Sequence, residues 1–246
     1  MKSEVGPVRQ RRLGSEPRGE PERFGRRQDS LSAQASDALL RHPDPAHRAV
    51  IAAACLKAPR PKRSTVDPGR ASVRVMHVRT GSLGDLPAAM SLLDAAVAWL
   101  ASQGRTGQWG EAPFSSIEAR VEQIRTMLSE RTARIAEADG QVVGVCILAD
   151  EPLPYVDPAP IPELYLQLLV TDRARSGSGI GRTLVDDAVE IARQRGVAQL
   201  RLDCYAGDDQ ALVRTYEGFG FALERRFTVD TGQPEPWPGA ILRMQI

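Results

Sequence analysis

The segment that most constrains this chain is an apolar strand that passes through a glycine-rich turn into a helix. Leu164–Val170 (LYLQLLV) is followed by Arg175-Ser-Gly-Ser-Gly-Ile-Gly-Arg182, then by a helical period over Gly181–Arg195 closed by Gly196. A helix N-terminus offers N–H groups without intrahelical partners and about half a positive charge. Glycines let the backbone curl those N–H groups toward an anion. Gly177, Gly179 and Gly181 stand where this is needed, with Ser176, Ser178 and Ile180 between them and Arg175 and Arg182 at the ends. A pyrophosphate suits such a turn. The pattern G-x-x-x-x-G-K-[ST] is absent, since no Lys follows residue 62, and the dinucleotide pattern G-x-G-x-x-G fails because Arg182 holds its sixth position.

Other elements surround this unit. Val73, Val75, His77 and Val78 predict a first strand. Asp85-Leu-Pro87 opens a helix through Ser102, with Leu92, Leu93, Val97 and Leu100 at helical spacing and Gly104 past its end. Ser115-x-x-Glu118 reads as a capping box for a second helix to about Ser129. Ala133–Ala138 and Gln141–Leu148, joined by Asp139-Gly140, read as a β-hairpin. Residues 150–162 carry five prolines and form a loop. A strand at 198–204, a short helix over Asp209–Phe219, and strands Phe221–Val229 and Ala240–Ile246, joined by a Pro/Gly-rich connection, complete the order β-α-α-β-β-β-α-β-α-β-β. This predicts one mixed α/β domain with a central sheet over 73–246.

Residues 1–72 are a different kind of sequence. They hold 15 Lys and Arg against 8 Asp and Glu, whereas 73–246 hold 17 against 23. Rich in Arg, Pro, Gly and Ser, and briefly helical only at 46–57, the leader is expected to be disordered. Translation starting near Val75 or Met76 is the other reading. Its Arg residues are scattered and aromatics nearly absent, which argues against a nucleic-acid-binding arm. No run of 18 apolar residues suggests a membrane span. Cys55, Cys146 and Cys204 are widely spaced, which fits a reduced, cytoplasmic setting without a disulfide framework. His42, His47 and His77 are the only histidines, so the rest of the chain works without imidazole. Ser-His-Asp and Cys-His systems and most zinc sites are thereby excluded, and no metal is expected.

LYLQLLVTDRARSGSGIGRTLVDDAV, followed by LRLDCYAGDDQALVRTYEGFGF, resembles the GNAT superfamily of acetyl-CoA-dependent N-acetyltransferases. The family pattern runs from an apolar strand through [QR]-x-x-G-x-[GA] and a helix to a strand, then Asn-x-x-x-x-x-x-Tyr and Gly-Phe. Gly179, Gly181, Tyr216 and Gly220-Phe221 match it, while Ser176 stands at the Arg/Gln position and Asp209 at the Asn. The resemblance implies a single domain with a mixed, mostly antiparallel, twisted sheet of about seven strands flanked by about four helices. It also implies acetyl-CoA as co-substrate, with Asp209 at its edge. Main-chain groups of Leu168, Leu169 and Val170 would pair with the pantetheine arm, between strands 163–170 and 198–204 splayed apart.

Attack of an amine on a thioester needs a neutral amine, and an alkylammonium of pKa about 10.4 is neutral only about one part in a thousand at pH 7.4. It also needs N–H donors for the oxyanion and a proton donor for the thiolate. The resemblance assigns the proton to Tyr216 and the oxyanion to the Leu169 N–H; a core aromatic is the other reading of Tyr216. For the base, Glu163 comes first and Asp203 second; either also reads as a solvated strand end. Glu163, Tyr165 and Gln167 share one strand face by alternation. Cys204 reads as a buried structural thiol. The acceptor, a small-molecule or peptide amine, would meet Trp109, Tyr165 and Asp203, with Gln108, Glu111 and Phe114 nearby and Trp99 in the core. A homodimer is compatible with this reading. A catalytically silent acyl-CoA-binding sensor or partner-binding module is the alternative.

Overall fold

The Asp139-Gly140 turn closes its hairpin with both residues in the left-handed region, at φ of 54° and 71°. That backbone matches the right-handed twist of the strands it joins. The computed structural model describes residues 76–246 except Asp208 and Gln233. The expected leader 1–72, its helical run and the start of the first strand at Val73 lie outside the described residues.

Seven strands and four helices follow in the expected order. They are β1 (Met76–Thr80), α1 (Leu86–Ser102), α2 (Glu118–Glu130), β2 (Thr132–Ala138), β3 (Gln141–Ala149), β4 (Leu164–Thr171), α3 (Ile180–Gln194), β5 (Gln199–Tyr205), α4 (Ala211–Gly218), β6 (Ala222–Val229) and β7 (Trp237–Gln245). The sheet order is β1-β2-β3-β4-β5-β7-β6, antiparallel everywhere except between β4 and β5. Its interior is apolar: Leu166, Leu168, Leu169, Val170, Leu200 and Leu202 are fully buried.

Two local expectations give way to tertiary contacts. Ser115 does not cap α2: its N–H and hydroxyl reach the Asp94 carboxylate on α1, at 3.0 and 2.6 Å. The helix begins at Glu118 after a short 3-10 turn, Phe114–Ser116, without a side-chain cap. Trp237-Pro238-Gly239, expected in the connection, is the start of β7 and pairs with β6. A proline is tolerated so near a strand's beginning. Leu83–Ser102 is apolar and long enough to cross a membrane by composition, with a mean hydropathy of 1.3, yet half of that stretch is buried within the domain.

Helix α3 lays Ile180, Leu184, Val185, Ala188 and Ala192 against the sheet. It approaches β3 at Gly144, where an added Cβ would stand 2.8 Å from both Ile180 Cγ2 and Leu184 Cδ1. We predict that Gly144→Val costs about 1–3 kcal/mol by overpacking. That corresponds to a thermal midpoint lower by roughly 2–12 °C for a domain of this size. An unchanged midpoint would show that α3 yields freely.

Candidate active site

β4 and β5 are hydrogen-bonded only at Leu164–Leu200, Tyr165–Arg201 and Leu166–Leu202. Beyond that they part. The register against β3 explains where: Ile147 pairs with Leu168 but Leu148 pairs with Leu166, so Gln167 is an extra residue in β4. A bulge of this kind bends its strand and ends regular pairing. The Gln167 amide donates instead to the Glu151 carbonyl at 3.1 Å. Strict alternation, and with it the expected shared face of Glu163, Tyr165 and Gln167, therefore stops at Tyr165.

A cleft of about 550 Å³ lies at the glycine turn, walled by Arg175, Ser176, Gly177, Gly179, Ile180, Gly181 and Arg182. Gly177 and Gly179 have φ of 82° and 88°, and Gly179 is the residue that opens α3. The Thr183 N–H is the first to bond back into the helix, to the Gly179 carbonyl at 3.0 Å. The N–H groups of Ile180, Gly181 and Arg182 precede that ladder and are available at the helix end. Ser178 is spent locally, its hydroxyl donating to the Arg175 carbonyl at 2.6 Å.

The charge of the cleft exceeds what the turn alone supplies. Arg105, Arg173 and Arg214 also line it. Arg173 stacks over the Trp99 ring at 3.8 Å. Arg105 and Arg214 both approach the Asp209 carboxylate, at 3.1 and 3.4 Å. Burial works against the charged form of Asp209, but the Ala211 N–H and these two arginines hold its carboxyl below the usual range. Arg175 is oriented by Asp139 and Gln141, at 3.2 and 3.0 Å, and Arg182 by Asp186 at 3.0 Å. Five arginines line the cleft against a single lining carboxylate, Asp209, and with a helix N-terminus they match a polyanion such as a diphosphate.

The other expected site residues separate into groups. Leu168, Leu169 and Val170 are fully buried on the parted half of β4. Tyr216 is also fully buried, edge-on to Phe219 and Phe221 at 6.0 and 5.7 Å. The cleft wall on α4 is made by its neighbours Ala211, Arg214, Thr215 and Gly218. Glu163 is not an open base. Both its oxygens accept from Arg201 Nη1, at 3.0 and 2.9 Å, in a pair almost wholly buried. One oxygen also accepts the Ala159 N–H at 3.1 Å.

The two tryptophans exchange their expected places. Trp109 is buried against Phe114, ring centroids 5.3 Å apart, while Trp99 is only partly buried and faces Arg173. Phe114 is fully buried and Glu111 exposed. The Gln108 carbonyl accepts from Trp237 Nε1 at 3.4 Å. Asp203, one residue past the last β4–β5 pair, is fully buried and accepts from the Tyr165 and Tyr155 hydroxyls at 2.7 and 3.0 Å. Burial pushes its carboxyl up to about 7, against the lowering effect of those two hydrogen bonds. Burial likewise raises the Cys204 thiol well above its ordinary value, which fits a structural role. Among the described residues no cluster of His, Cys, Asp or Glu is suited to a metal.

Sequence reasoning missed Tyr155, Arg105, Arg173 and Arg214. Tyr155 is the one aromatic residue of the proline-rich loop, a signal that was available. Arg105 had no local signal, because only tertiary folding brings it to the turn.

Comparison with known proteins adds a family. A model of the acetyltransferase (GNAT) family matches residues 92–221, just over half of the chain. The fold is similar to that of a candidate phosphinothricin N-acetyltransferase, at 21% identity over 70% of this chain and 99% of that one, with a TM-score of 0.51. It is also similar to an N-acetyltransferase from Staphylococcus aureus Mu50, at 17% identity over 70% and 98%, TM-score 0.51. A GNAT-family acetyltransferase from Listeria monocytogenes 4b F2365 is similar at 20% identity over 70% and 95%, TM-score 0.51. No curated protein matches.

Proposed function

Because the chain belongs to the GNAT acetyltransferase family, we propose that it transfers the acetyl group of acetyl-CoA directly to a primary amine of a small molecule or peptide, both bound together, in a cytoplasmic setting. The observation that carries this reading is that β4 and β5 stop pairing at Leu166–Leu202, and that the end of β4, at Thr171, borders the arginine-lined cleft. The N–H groups of Ile180, Gly181 and Arg182 would hold the diphosphate, with Arg105, Arg173, Arg175 and Arg214 as counter-charge. The parted edge of β4 at Leu168, Leu169 and Val170 would pair with the pantetheine amides. Bound there, acetyl-CoA supplies an acyl group activated as a thioester. The Leu169 N–H would donate to the thioester oxygen, and the Tyr216 hydroxyl would give its proton to the departing thiolate.

The test is release of CoA thiol across a panel of primary amines that includes aminoglycosides, polyamines, amino acids and peptide N-termini. At least one should give saturable turnover. Tyr216→Phe should then lower kcat about 100-fold, the low end of a general acid's contribution, without changing the Kd for acetyl-CoA. An unchanged kcat would remove Tyr216 from the reaction. Binding of acetyl-CoA with no turnover on any amine would instead favour an acyl-CoA sensor.

A further inference from the structure

With Glu163 held by Arg201, the proton released by the acceptor amine needs another destination. Asp203 sits at the first position of β5 that no longer pairs with β4, beside the bulged Gln167, while it still pairs with Ile241 of β7. Each of its carboxylate oxygens takes one phenol: Oδ1 accepts from Tyr165 and Oδ2 from Tyr155. Tyr165 is fully buried, and Val156 and Ile241 pack with it in a small apolar cluster that Tyr155 and Phe227 flank. Of the three residues only Tyr155 is partly exposed, and burial raises its phenol well above the ordinary value, so it stays protonated beside Asp203. The remaining charges near Asp203 are Arg201 on β5 and Glu163 on β4, and these two are paired with each other. A carboxylate buried without a cation of its own is costly even when two phenols donate to it, and such groups are candidates for proton transfer.

We infer that Asp203, acting through the Tyr155 hydroxyl while Tyr165 fixes its other oxygen, is the terminal acceptor of the amine's proton. The inference rests on the proposed acetyl transfer. As the N–C bond forms and the C–S bond breaks, the amine's N–H proton passes to the Tyr155 oxygen. The phenol's own proton passes to Asp203 Oδ2, leaving a neutral carboxylic acid. After the product leaves, the same phenol carries the proton back out of the site by the reverse exchange, so no charge accumulates. Asp203 touches no substrate; its part is to draw the proton through Tyr155. A buried carboxyl poised at about 7 suits that exchange near neutral pH.

Two readouts test the proposal. Infrared spectra of the full chain should show a carboxylic C=O band that fades as pH rises through about 7, and Asp203→Asn should lack it. In turnover, the wild-type kcat should rise through the same pH region to a plateau. Asp203→Asn should lower that plateau at least tenfold and flatten the rise. Tyr155→Phe should lower kcat with little change in the KM for acetyl-CoA. Tyr165→Phe should move the midpoint upward, because the lost hydrogen bond favoured the carboxylate. The phenylalanine variants keep the test open if Asp203→Asn does not fold. Absence of any band titrating near neutrality overturns the inference. A band with an unaltered kcat profile in Asp203→Asn overturns the relay and leaves acetyl transfer standing. A wild type that turns over no amine brings down both.

Discussion

Gly179→Val is expected to reduce acetyl-CoA affinity at least 100-fold while the domain stays folded. Gly179 sits at φ 88° and ψ 0°, where an L-residue is strained by about 1–2 kcal/mol and a β-branched one by more. Beyond its own neighbours along the chain, nothing lies within 4 Å of the Cβ it would carry, so the added side chain enters open space at the cleft wall instead of the core. The cost to folding is therefore mostly backbone strain. The cost to binding is larger, since relief of that strain turns the N–H groups of the first α3 turn away from the anion. Hydrogen bonds to charged groups contribute about 1.5–3 kcal/mol each, and losing two corresponds to roughly 10²–10⁴ in affinity. Calorimetric titration with acetyl-CoA, beside thermal unfolding of the same sample, separates the two costs. Gly179→Ala should fall between, since its strain is smaller. A valine variant that binds within threefold of wild type would mean that the turn is not where the diphosphate rests.

The elements that were legible in the sequence are those whose cause is local. Asp139-Gly140 needs only its own backbone preference to close a hairpin. The glycines at 177, 179 and 181 mark a turn into a helix whatever surrounds them, and helical spacing marked α1 and α3. The parting of β4 from β5 was implied by the resemblance, and the pairing does end at Leu166–Leu202. What sequence did not reveal depends on partners distant along the chain. The Ser115 cap was lost to Asp94, 21 residues earlier, because a carboxylate competes well for an N–H and a hydroxyl. Trp99 and Trp109 have the same apolar body, and only the packing of the loop after α1 decided which one was buried. The bulge at Gln167 has no compositional sign, yet it determines which residues of β4 share a face with Asp203.

Glu163 is the sharpest case, and Arg201→Met should reveal its nature. Arg201, 38 residues further on, brings its guanidinium to both carboxylate oxygens, to Glu224 at 3.3 Å and to the Asp157 carbonyl at 3.5 Å. It fastens the end of the 150–163 loop and β6 to the middle of the sheet. Methionine fills similar volume but leaves Glu163 as a buried charge without its partner. Breaking such a pair from one side costs about 3–5 kcal/mol. For a domain of this size that is a thermal midpoint lower by roughly 6–20 °C. Replacing both partners, Arg201→Met with Glu163→Leu, removes the stranded charge as well and should recover most of the loss, since apolar residues of similar volume often substitute for buried ion pairs without penalty. A base would behave differently. Glu163→Gln would then abolish turnover at wild-type stability, whereas an ion-pair partner so changed should lower the unfolding midpoint and leave the rise of kcat with pH in place. The outcome that defeats the ion-pair assignment is a double variant as unstable as Arg201→Met alone, because the penalty would then belong to the guanidinium's contacts with Glu224 and Asp157.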